Sequence, residues 1–405
     1  MRSMAEGLFG QGRPLHRAPS ARGPLPSKSR EDRNVLASFS PLTHKQCVTR
    51  PDARSGRGAP ENRTPTRFNL QEREADGDWL DSRETLDEGL PPLRTTVTVE
   101  KPKTIITRNH SPDIGFDRSI NAYRGCEHGC IYCFARPTHA YHDLSPGLDF
   151  ETRLFAKPDA AKLLREELAR PGYSVRPIAL GTNTDPYQPI EAEWRITRSI
   201  LEVLAETNHP VTITTKSDRV LRDLDILVPM AAKGLASVAL SVTSLTPEIS
   251  RTLEPRAPAG RKRIAAVKAL NAAGVPAIVA IAPVIPAITD HEVEHIVEAA
   301  AQAGAAGVFF LPVRLPWEVA PLFRAWLDEH FPDRAGKVMN IIREIRGGKD
   351  NDPNFFTRHQ GFGPWAMLMR TRFEIAVRKN GLNKERRKLR TDLFLPPQGP
   401  QLRLL

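Results

Sequence analysis

An alternation of short strand-like runs with helical patterns from Ile120 onward limits most strongly how this chain can fold. Six β-rich runs are each followed by a helical stretch, at a spacing of about 30 residues, as in βαβ units. The predicted strands are Ser119–Tyr123, Pro177–Gly181, Val211–Thr215, Ser237–Val242, Ala277–Pro283 and Gly307–Leu311. The predicted helices are Asp159–Ala169, Trp194–Glu206, Arg219–Lys233, Arg261–Ala273, Asp290–Ala303 and Trp317–His330. Continuously apolar strands such as Ala277–Pro283 need cover on both faces. We therefore predict an α/β fold, a partial (β/α)6 TIM-like barrel with its chemistry on the loops after the strands.

Composition divides the 405 residues into four predicted parts. They are a disordered basic tail (1–67), a lead-in segment (68–116), the core barrel (117–345) and a C-terminal extension with a basic cluster (346–405). The tail is rich in Arg, Pro, Ser and Gly without a sustained period, as in segments that cannot form a core. The lead-in contains an extended run at Thr95–Glu100, and the extension contains an amphipathic helix at Ala366–Lys379.

Positive charge is concentrated at the two ends of the chain. The formal net charge of +11 comprises +8 in residues 1–67 and +6 in residues 376–405, which leaves −3 for the middle. The densest basic run is Lys384–Arg390. Such ends can bind nucleic acid through its phosphates. Solvated tails, and a C-terminal lid with a solvated basic face, are the competing interpretations.

The sequence offers no sign of a membrane or of secretion. It contains no run of about 18 apolar residues that would span a bilayer. It does not open with a basic segment followed by an apolar one, as a signal peptide does. We therefore expect a cytoplasmic, reducing setting without a membrane partner.

Three of the four cysteines lie within eight positions, at Cys126, Cys130 and Cys133, with the spacing C-x3-C-x2-C. The fourth, Cys47, lies in the basic tail and is given no role. Three thiolates on one short loop can hold three irons of an iron–sulfur cube and leave the fourth iron free to bind another molecule. The loop follows the first predicted strand, on the side where a barrel enzyme carries its active site.

Other uses of these thiols remain open at this point. A structural zinc ion needs four ligands, and His128, His139 or His142 could complete a Cys3His site in a nucleic-acid-binding module. A closed electron-carrier cluster would need a fourth cysteine. Disulfides fit poorly, because the number is odd and the loop is tight.

With these motifs the chain resembles radical S-adenosylmethionine (SAM) enzymes. The three-cysteine motif with Tyr132 before its last cysteine carries that resemblance, over about residues 117–345. Within the superfamily the sequence is similar to the spore photoproduct lyase-like, "DNA repair photolyase" group, through Gly181–Glu191, Thr214–Ser217 and Leu240–Val242. The resemblance implies a [4Fe–4S] cluster that cleaves SAM reductively to a 5′-deoxyadenosyl radical. It also implies an electron donor such as flavodoxin or ferredoxin.

The resemblance assigns roles to individual residues. Cys126, Cys130 and Cys133 would be the metal ligands and, with Tyr187 as a hydrogen relay, the catalytic residues. The implied SAM-binding residues are Tyr132, Gly181, Thr182, Asn183, Thr184, Asp185, Lys216, Ser241 and Arg256. For each of these the sequence also allows a plain structural role: a packed loop aromatic, a polar turn before Pro186, a loop lysine or a satisfied core serine.

One departure limits how far the resemblance reaches. Spore photoproduct lyase itself uses a cysteine near the second strand as hydrogen donor, but this chain has no cysteine from Pro137 to Leu405. We therefore carry over the cofactor chemistry and leave the substrate unassigned.

Overall fold

The computed structural model describes residues 56–65, 93–385 and 388–397. Cys47, most of the predicted basic tail, the lead-in residues 68–92 and two arginines of the C-terminal basic run lie outside the described residues. The strands are β1 (Thr96–Val99), β2 (Thr107–Arg108), β3 (Arg118–Ile120), β4 (Tyr123–Arg124), β5 (Arg153–Ala156), β6 (Ile178–Leu180), β7 (Val211–Thr215), β8 (Ala236–Ser241), β9 (Ala277–Val284) and β10 (Gly307–Pro312).

A sheet in the order β10-β9-β8-β7-β6-β3-β2 forms the centre of the described chain. Strands β3 and β6 to β10 are parallel, and β2 joins the edge antiparallel to β3. The six predicted strands are confirmed, within a few residues at their ends. Within the described residues β2 and β10 do not pair with each other, so the sheet is open there. The mixed α/β fold is thus confirmed, while the partial barrel stays a prediction.

Helices follow the strands as predicted. They are α1 (Asp149–Thr152), α2 (Ala160–Leu168), α3 (Glu191–Trp194), α4 (Ile196–Glu206), α5 (Leu224–Ala232), α6 (Pro247–Leu253), α7 (Gly260–Ala272), α8 (Val293–Gln302), α9 (Val319–His330), α10 (Pro332–Glu344), α11 (Thr357–Gln360) and α12 (Gly363–Lys379). Short 3₁₀ helices cover Arg136–His142, Asp218–Asp223 and Asp290–Glu292. The predicted helix Arg219–Lys233 is therefore divided, with a 3₁₀ turn before α5. None of the described helices is both long and apolar enough to cross a lipid bilayer.

The core lies between the sheet and its helices. In β9 the side chains of Ala277, Val279 and Ile281 are buried, and α4 buries Ile200 and Leu204 against the sheet. Each fully buried Leu, Ile or Val contributes about 1.5–3 kcal/mol of transfer free energy. The apolar runs thus form a sheet covered by helices, and the loops at the strand ends lie outside this core.

A second, smaller sheet carries the residues that lead into the cysteine loop. It has the order β1-β5-β4, with β1 parallel to β5 and β4 antiparallel to β5. The predicted extended run Thr95–Glu100 is therefore confirmed as β1. Because β4 ends two residues before Cys126, this small sheet fixes where the cysteine loop begins.

Residues 56–65 correct the predicted extent of the disordered tail, because they pack onto the protein. The backbone N–H groups of Gly58 and Ala59 donate to the Glu151 carboxylate at 2.9 and 2.8 Å. Ala59 and Glu61 are buried. A Cβ atom on Gly58 would lie 1.7 Å from the carbonyl oxygen of Gly129, which is part of the cysteine loop. The sequence missed this contact since a segment rich in Pro, Gly and Arg has no periodic pattern.

The C-terminal extension is also part of the main body. The predicted helix Ala366–Lys379 is confirmed as α12, which packs on α8 and buries Met369 and Ala376 in the core. Beyond it, Asn383 bonds to both the N–H and the carbonyl group of Val308 and so pairs the edge of β10. The Arg390 N–H donates to the carbonyl oxygen of Gly234, which precedes β8. The described part of the basic run therefore lies where the strands begin.

Candidate functional site

The cysteine loop lies at the carboxyl edge of the parallel sheet, between β4 and the 3₁₀ helix Arg136–His142. Its backbone is fixed by three bonds: Cys126 N–H to Phe150 O, Ile131 N–H to Leu253 O, and Arg256 N–H to His128 O. Cys126 and Cys130 are buried, Cys133 is half-buried, and all three are free thiols. The predicted position of the loop on the strand-end side is thus what the structure shows.

A buried ion pair holds the loop from behind. Arg136 donates from Nε to Cys130 O at 2.9 Å and from Nη2 to Gly129 O at 3.1 Å. The same Nη2 lies 2.5 Å from the Glu151 carboxylate, and neither side chain is exposed to solvent. This carboxylate also accepts from Gly58 and Ala59. The pair therefore joins the cysteine loop to α1 and to the N-terminal segment.

Gly125 permits the sharp entry into the loop. Its φ is +73°, a left-handed conformation that side chains disfavour. A Cβ atom there would lie 2.6 Å from Leu154 Cδ2 and 2.7 Å from Phe150 O. Only glycine therefore fits at this position of the loop entry.

The thiols of Cys126 and Cys130 are buried beside several charged side chains. Burial raises the pKa of Cys130 to about 12, although the positive charge of Lys216 acts to lower it. Burial, with the charges of Asp185 and Cys130, raises the pKa of Cys126 well above its usual value, although the Asp185 backbone N–H donates to its sulfur. Thiols in such surroundings lose their protons when a metal binds them. The donor set therefore fits a metal centre that supplies its own positive charge.

The three histidines considered as zinc ligands have the following neighbours, and each keeps one buried ring nitrogen without a hydrogen bond among the described residues. His128 Nδ1 lies 3.3 Å from the Asp185 carboxylate, and His139 Nε2 bonds to the Arg153 carbonyl oxygen at 2.9 Å. The ring of His142 lies 4.8 Å from that of Phe155. In the part of the chain that the structure describes, no three or more His, Cys, Asp or Glu side chains surround one metal ion.

The residues after β6 form a hydrogen-bonded turn beside the cysteine loop. The Thr184 hydroxyl donates to Gly125 O at 2.6 Å. Asp185 accepts from the Tyr187 N–H, the Thr215 hydroxyl and the Lys216 N–H at 2.7–2.9 Å. Thr184 and Asp185 therefore hold neighbouring loops together.

Charge keeps Asp185 ionised in this position. Burial alone would raise the pKa of Asp185, but the adjacent His128 and the hydrogen bond from Thr215 hold it well below the usual value. The ionised carboxylate joins the ends of β6 and β7. The hydrogen bonds of Asp185 are thus those expected from the competing interpretation, a polar turn before Pro186.

Thr182, Asn183 and Gly181 complete that turn. The first two bond through Asn121, whose Oδ1 accepts from the Asn183 N–H at 2.9 Å and whose Nδ2 donates to the Thr182 hydroxyl at 3.1 Å. Both are half-buried and so remain within reach of a ligand. Gly181 is required sterically, since a Cβ atom would lie 2.0 Å from the carbonyl oxygen of Thr214.

A buried network anchors Tyr132. The Tyr132 hydroxyl donates to the Glu254 carboxylate and lies 3.1 Å from the Thr243 hydroxyl. The Arg263 guanidinium donates to the same carboxylate. The Lys216 ammonium lies 5.8 Å from the Tyr132 ring centroid. Tyr132 therefore has its ring and backbone, but not its hydroxyl, available to a ligand. Sequence analysis missed Glu254 and Arg263, since nothing in their local pattern marks them.

Opposite charges offset burial within this network. Burial would raise the pKa of Glu254, but Arg263 and Lys216 lower it to about 2. Burial would lower the pKa of Lys216, but Cys130 and Glu254 raise it above the usual value. Lys216 therefore stays a cation beside the cysteine loop.

The other predicted site residues are spread around this edge. Ser241 is buried at the end of β8, and Arg256 lies 3.1 Å from the Glu127 carboxylate inside the cysteine loop. Tyr187 is fully buried, and its hydroxyl donates to Asp223 at 3.0 Å. The structure therefore brings Arg256 to the loop and places Ser241 at the end of a neighbouring strand, whereas the contacts of Tyr187 are those of a packed residue.

The family model of the radical SAM superfamily matches residues 120–300. That range contains the cysteine loop and the ends of β6, β7 and β8. The chain belongs to the radical SAM superfamily and is an enzyme of this class.

Two curated relatives illustrate the range of similarity. An uncharacterised protein of Mycobacterium tuberculosis (strain H37Rv) is 38% identical over 230 residues, which cover 56% of this chain and 68% of the relative. An uncharacterised protein of Methanocaldococcus jannaschii is 27% identical over 221 residues, 55% of this chain and 79% of the relative. Both matches cover a little more than half of this chain.

Solved structures with the same fold include spore photoproduct lyase. Its complex with a dinucleoside spore photoproduct has a TM-score of 0.50 and 14% identity, over 70% of this chain and 79% of that one. A cysteine-to-serine variant of that enzyme gives a TM-score of 0.50 and 13% identity, over 77% and 85% of the two chains. At these identities the likeness concerns the fold alone.

Proposed function

We propose that Cys126, Cys130 and Cys133 hold a [4Fe–4S] cluster with which this enzyme cleaves SAM reductively. The observation that carries this proposal is a loop with three free thiols at the carboxyl edge of the parallel sheet. A three-thiolate donor set suits a cluster with one iron open to another ligand.

When bound, the cluster and SAM supply one-electron cleavage of a carbon–sulfur bond, which yields a 5′-deoxyadenosyl radical able to remove hydrogen from carbon. The protein orients the reactants and excludes water. Arg136 and Glu151 fix the loop, and burial of Cys126 and Cys130 keeps solvent from the thiols.

Contacts for SAM follow from groups that are still available at this edge. Lys216 is a cation beside Tyr132 and suits a carboxylate. Thr182 and Asn183 offer polar atoms at the end of β6, and the Ser241 hydroxyl lies at the end of β8. In this proposal Thr184, Asp185 and Tyr187 position the loops. Arg256 contacts SAM while it stays paired with Glu127.

The setting belongs to the same proposal. All cysteines within the described residues are free, which suits a reducing cytoplasm. Flavodoxin or ferredoxin would supply the electron. The partial barrel, and nucleic acid as partner, remain predictions from the sequence.

Anaerobic reconstitution with iron and sulfide tests the proposal. The wild-type protein is expected to bind about four irons per chain and, once reduced, to release 5′-deoxyadenosine from SAM. Cys130→Ala is expected to lose the iron and the cleavage. Cys47→Ala, the matched control for the remaining cysteine, is expected to keep both.

Two results would contradict this assignment. One is stoichiometric zinc in the purified protein with no SAM cleavage after reconstitution. The other is a Cys130→Ala variant that retains the full iron content.

A further inference from the structure

A group of arginines lies beyond the carboxyl end of β10, close to the cysteine loop. The buried Arg346 donates from Nη2 to Val313 O at 2.7 Å and from Nη1 to Arg358 O at 2.8 Å. These bonds tie the C-terminal segment to the end of β10. Arg314 follows Val313 directly, so the same contacts bring Arg314 and Arg358 to one corner of the sheet edge.

The carboxylates of this corner are already in use. Asp113 accepts from Arg358 Nε and Nη2 at 2.7 and 2.5 Å and from the Phe356 N–H at 3.0 Å. Asp352 accepts from the Thr357 hydroxyl at 2.6 Å. These bonds direct both carboxylates toward partners other than Arg314.

Arg314 differs from Arg358 in that no carboxylate of the described residues is hydrogen-bonded to it. Among the described residues no carboxylate lies within ion-pair distance of its guanidinium, which is half-buried. Burial and the neighbouring charge of Arg358 lower the pKa of Arg314, while the more distant carboxylates of Asp113 and Asp352 act in the opposite direction. A guanidinium held partly away from water without a directly bonded carboxylate favours the approach of an anion.

Exposed aromatic rings lie beside these arginines. The Arg314 guanidinium is 5.6 Å from the ring centroid of Phe134, which follows Cys133 and is 52% exposed. Arg358 lies 4.9 Å from the ring centroid of Phe355, which is 50% exposed. Phe134 thus presents an apolar surface between the cation and the cysteine loop.

We propose that Arg314 and Phe134 form a substrate subsite for an anionic group, a phosphate or a carboxylate, attached to a ring-shaped or apolar body. The guanidinium fork binds either anion through two parallel hydrogen bonds. The Phe134 ring contacts the attached body, which is thereby held next to Cys133. That the bound molecule is the substrate of the radical reaction rests on the proposed function.

Two small probes test the subsite and distinguish the two anions. Binding of phenyl phosphate and of benzoate to the anaerobic full-length protein is measured by ligand-observed nuclear magnetic resonance. At least one probe is expected to bind, and Arg314→Gln is expected to weaken that binding about tenfold, the loss of a charged hydrogen-bonded partner. Phe134→Leu should weaken it less. The matched control, Arg170→Gln, removes an exposed arginine at the end of α2 and should leave binding unchanged.

The outcomes separate this subsite from the proposed function. Absence of binding by both probes, equal binding by wild type and Arg314→Gln, or an equal loss in Arg170→Gln would overturn the subsite. SAM cleavage is assayed separately on the wild-type protein. Binding through Arg314 in a wild-type protein that cleaves no SAM would keep the anion subsite and remove the proposed function.

Discussion

Replacing Glu151 by Gln should destabilise the protein far more than the loss of an ordinary surface charge. The substitution keeps the size of the side chain and removes the carboxylate charge that faces the buried Arg136. One amide oxygen cannot accept from Arg136, Gly58 and Ala59 as the carboxylate does. Breaking a buried ion pair from one side costs about 3–5 kcal/mol, since the remaining charge is left without compensation. That is a large fraction of a typical unfolding free energy of about 5–15 kcal/mol.

The assay is chemical denaturation of the iron-free protein under anaerobic conditions, so that metal binding does not contribute. Glu206→Gln is the matched control, because the Arg165–Glu206 pair has a similar distance of 2.8 Å but side chains about half exposed. That control should lose no more than about 1 kcal/mol. Limited proteolysis should also cut near residues 56–65 more rapidly in Glu151→Gln. Equal stability losses in the two variants would refute the reasoning.

Two further predictions concern backbone space and buried charge. Gly181→Ala should cost about 3 kcal/mol or more, because the new Cβ atom meets a neighbouring carbonyl oxygen in addition to the strain of a left-handed residue. Gly172→Ala, with nothing within 4 Å, should cost only the strain of a left-handed residue, about 1–2 kcal/mol. Similar denaturation midpoints for these two variants would contradict the steric argument. Burial lowers the pKa of His209 to about 4, so its stabilising contribution is full above the unfolded pKa of about 6.5 and is lost as the pH falls toward 4. The melting temperature should therefore decline less steeply over that range in His209→Gln than in wild type, and parallel curves would show that His209 does not titrate on unfolding.

The elements that the sequence could predict are those set by local patterns. The apolar runs such as Ala277–Pro283 and the amphipathic stretches between them identify six strands and their helices, with errors of a few residues at the ends. Residues 56–65 could not be predicted in this way. Their order depends on Glu151, which lies more than 90 positions away.

In the candidate site, too, the local features could be predicted from the sequence and the long-range contacts could not. The cysteine spacing and the position of the loop after a strand were readable, since both are local. The side chains that hold the loop were not: Glu254 meets Tyr132 across 122 positions, and Glu151 meets Arg136 only because α1 turns back beneath the loop. A buried carboxylate has no periodic pattern of its own, and its partner is set by the fold.

Charge shows most clearly how folding changes what the sequence indicates. By sequence the middle of the chain is net acidic and the positive ends are the candidates for binding anions. In the folded protein Arg390, at the basic C-terminal end, contacts the loop before β8, at the edge of the sheet away from the cysteines. At the cysteine edge, Asp113 pairs with Arg358 across 245 positions, and Arg314 forms no ion pair among the described residues. The salt dependence of binding at the cysteine edge should therefore follow Arg314 and be insensitive to the C-terminal basic run.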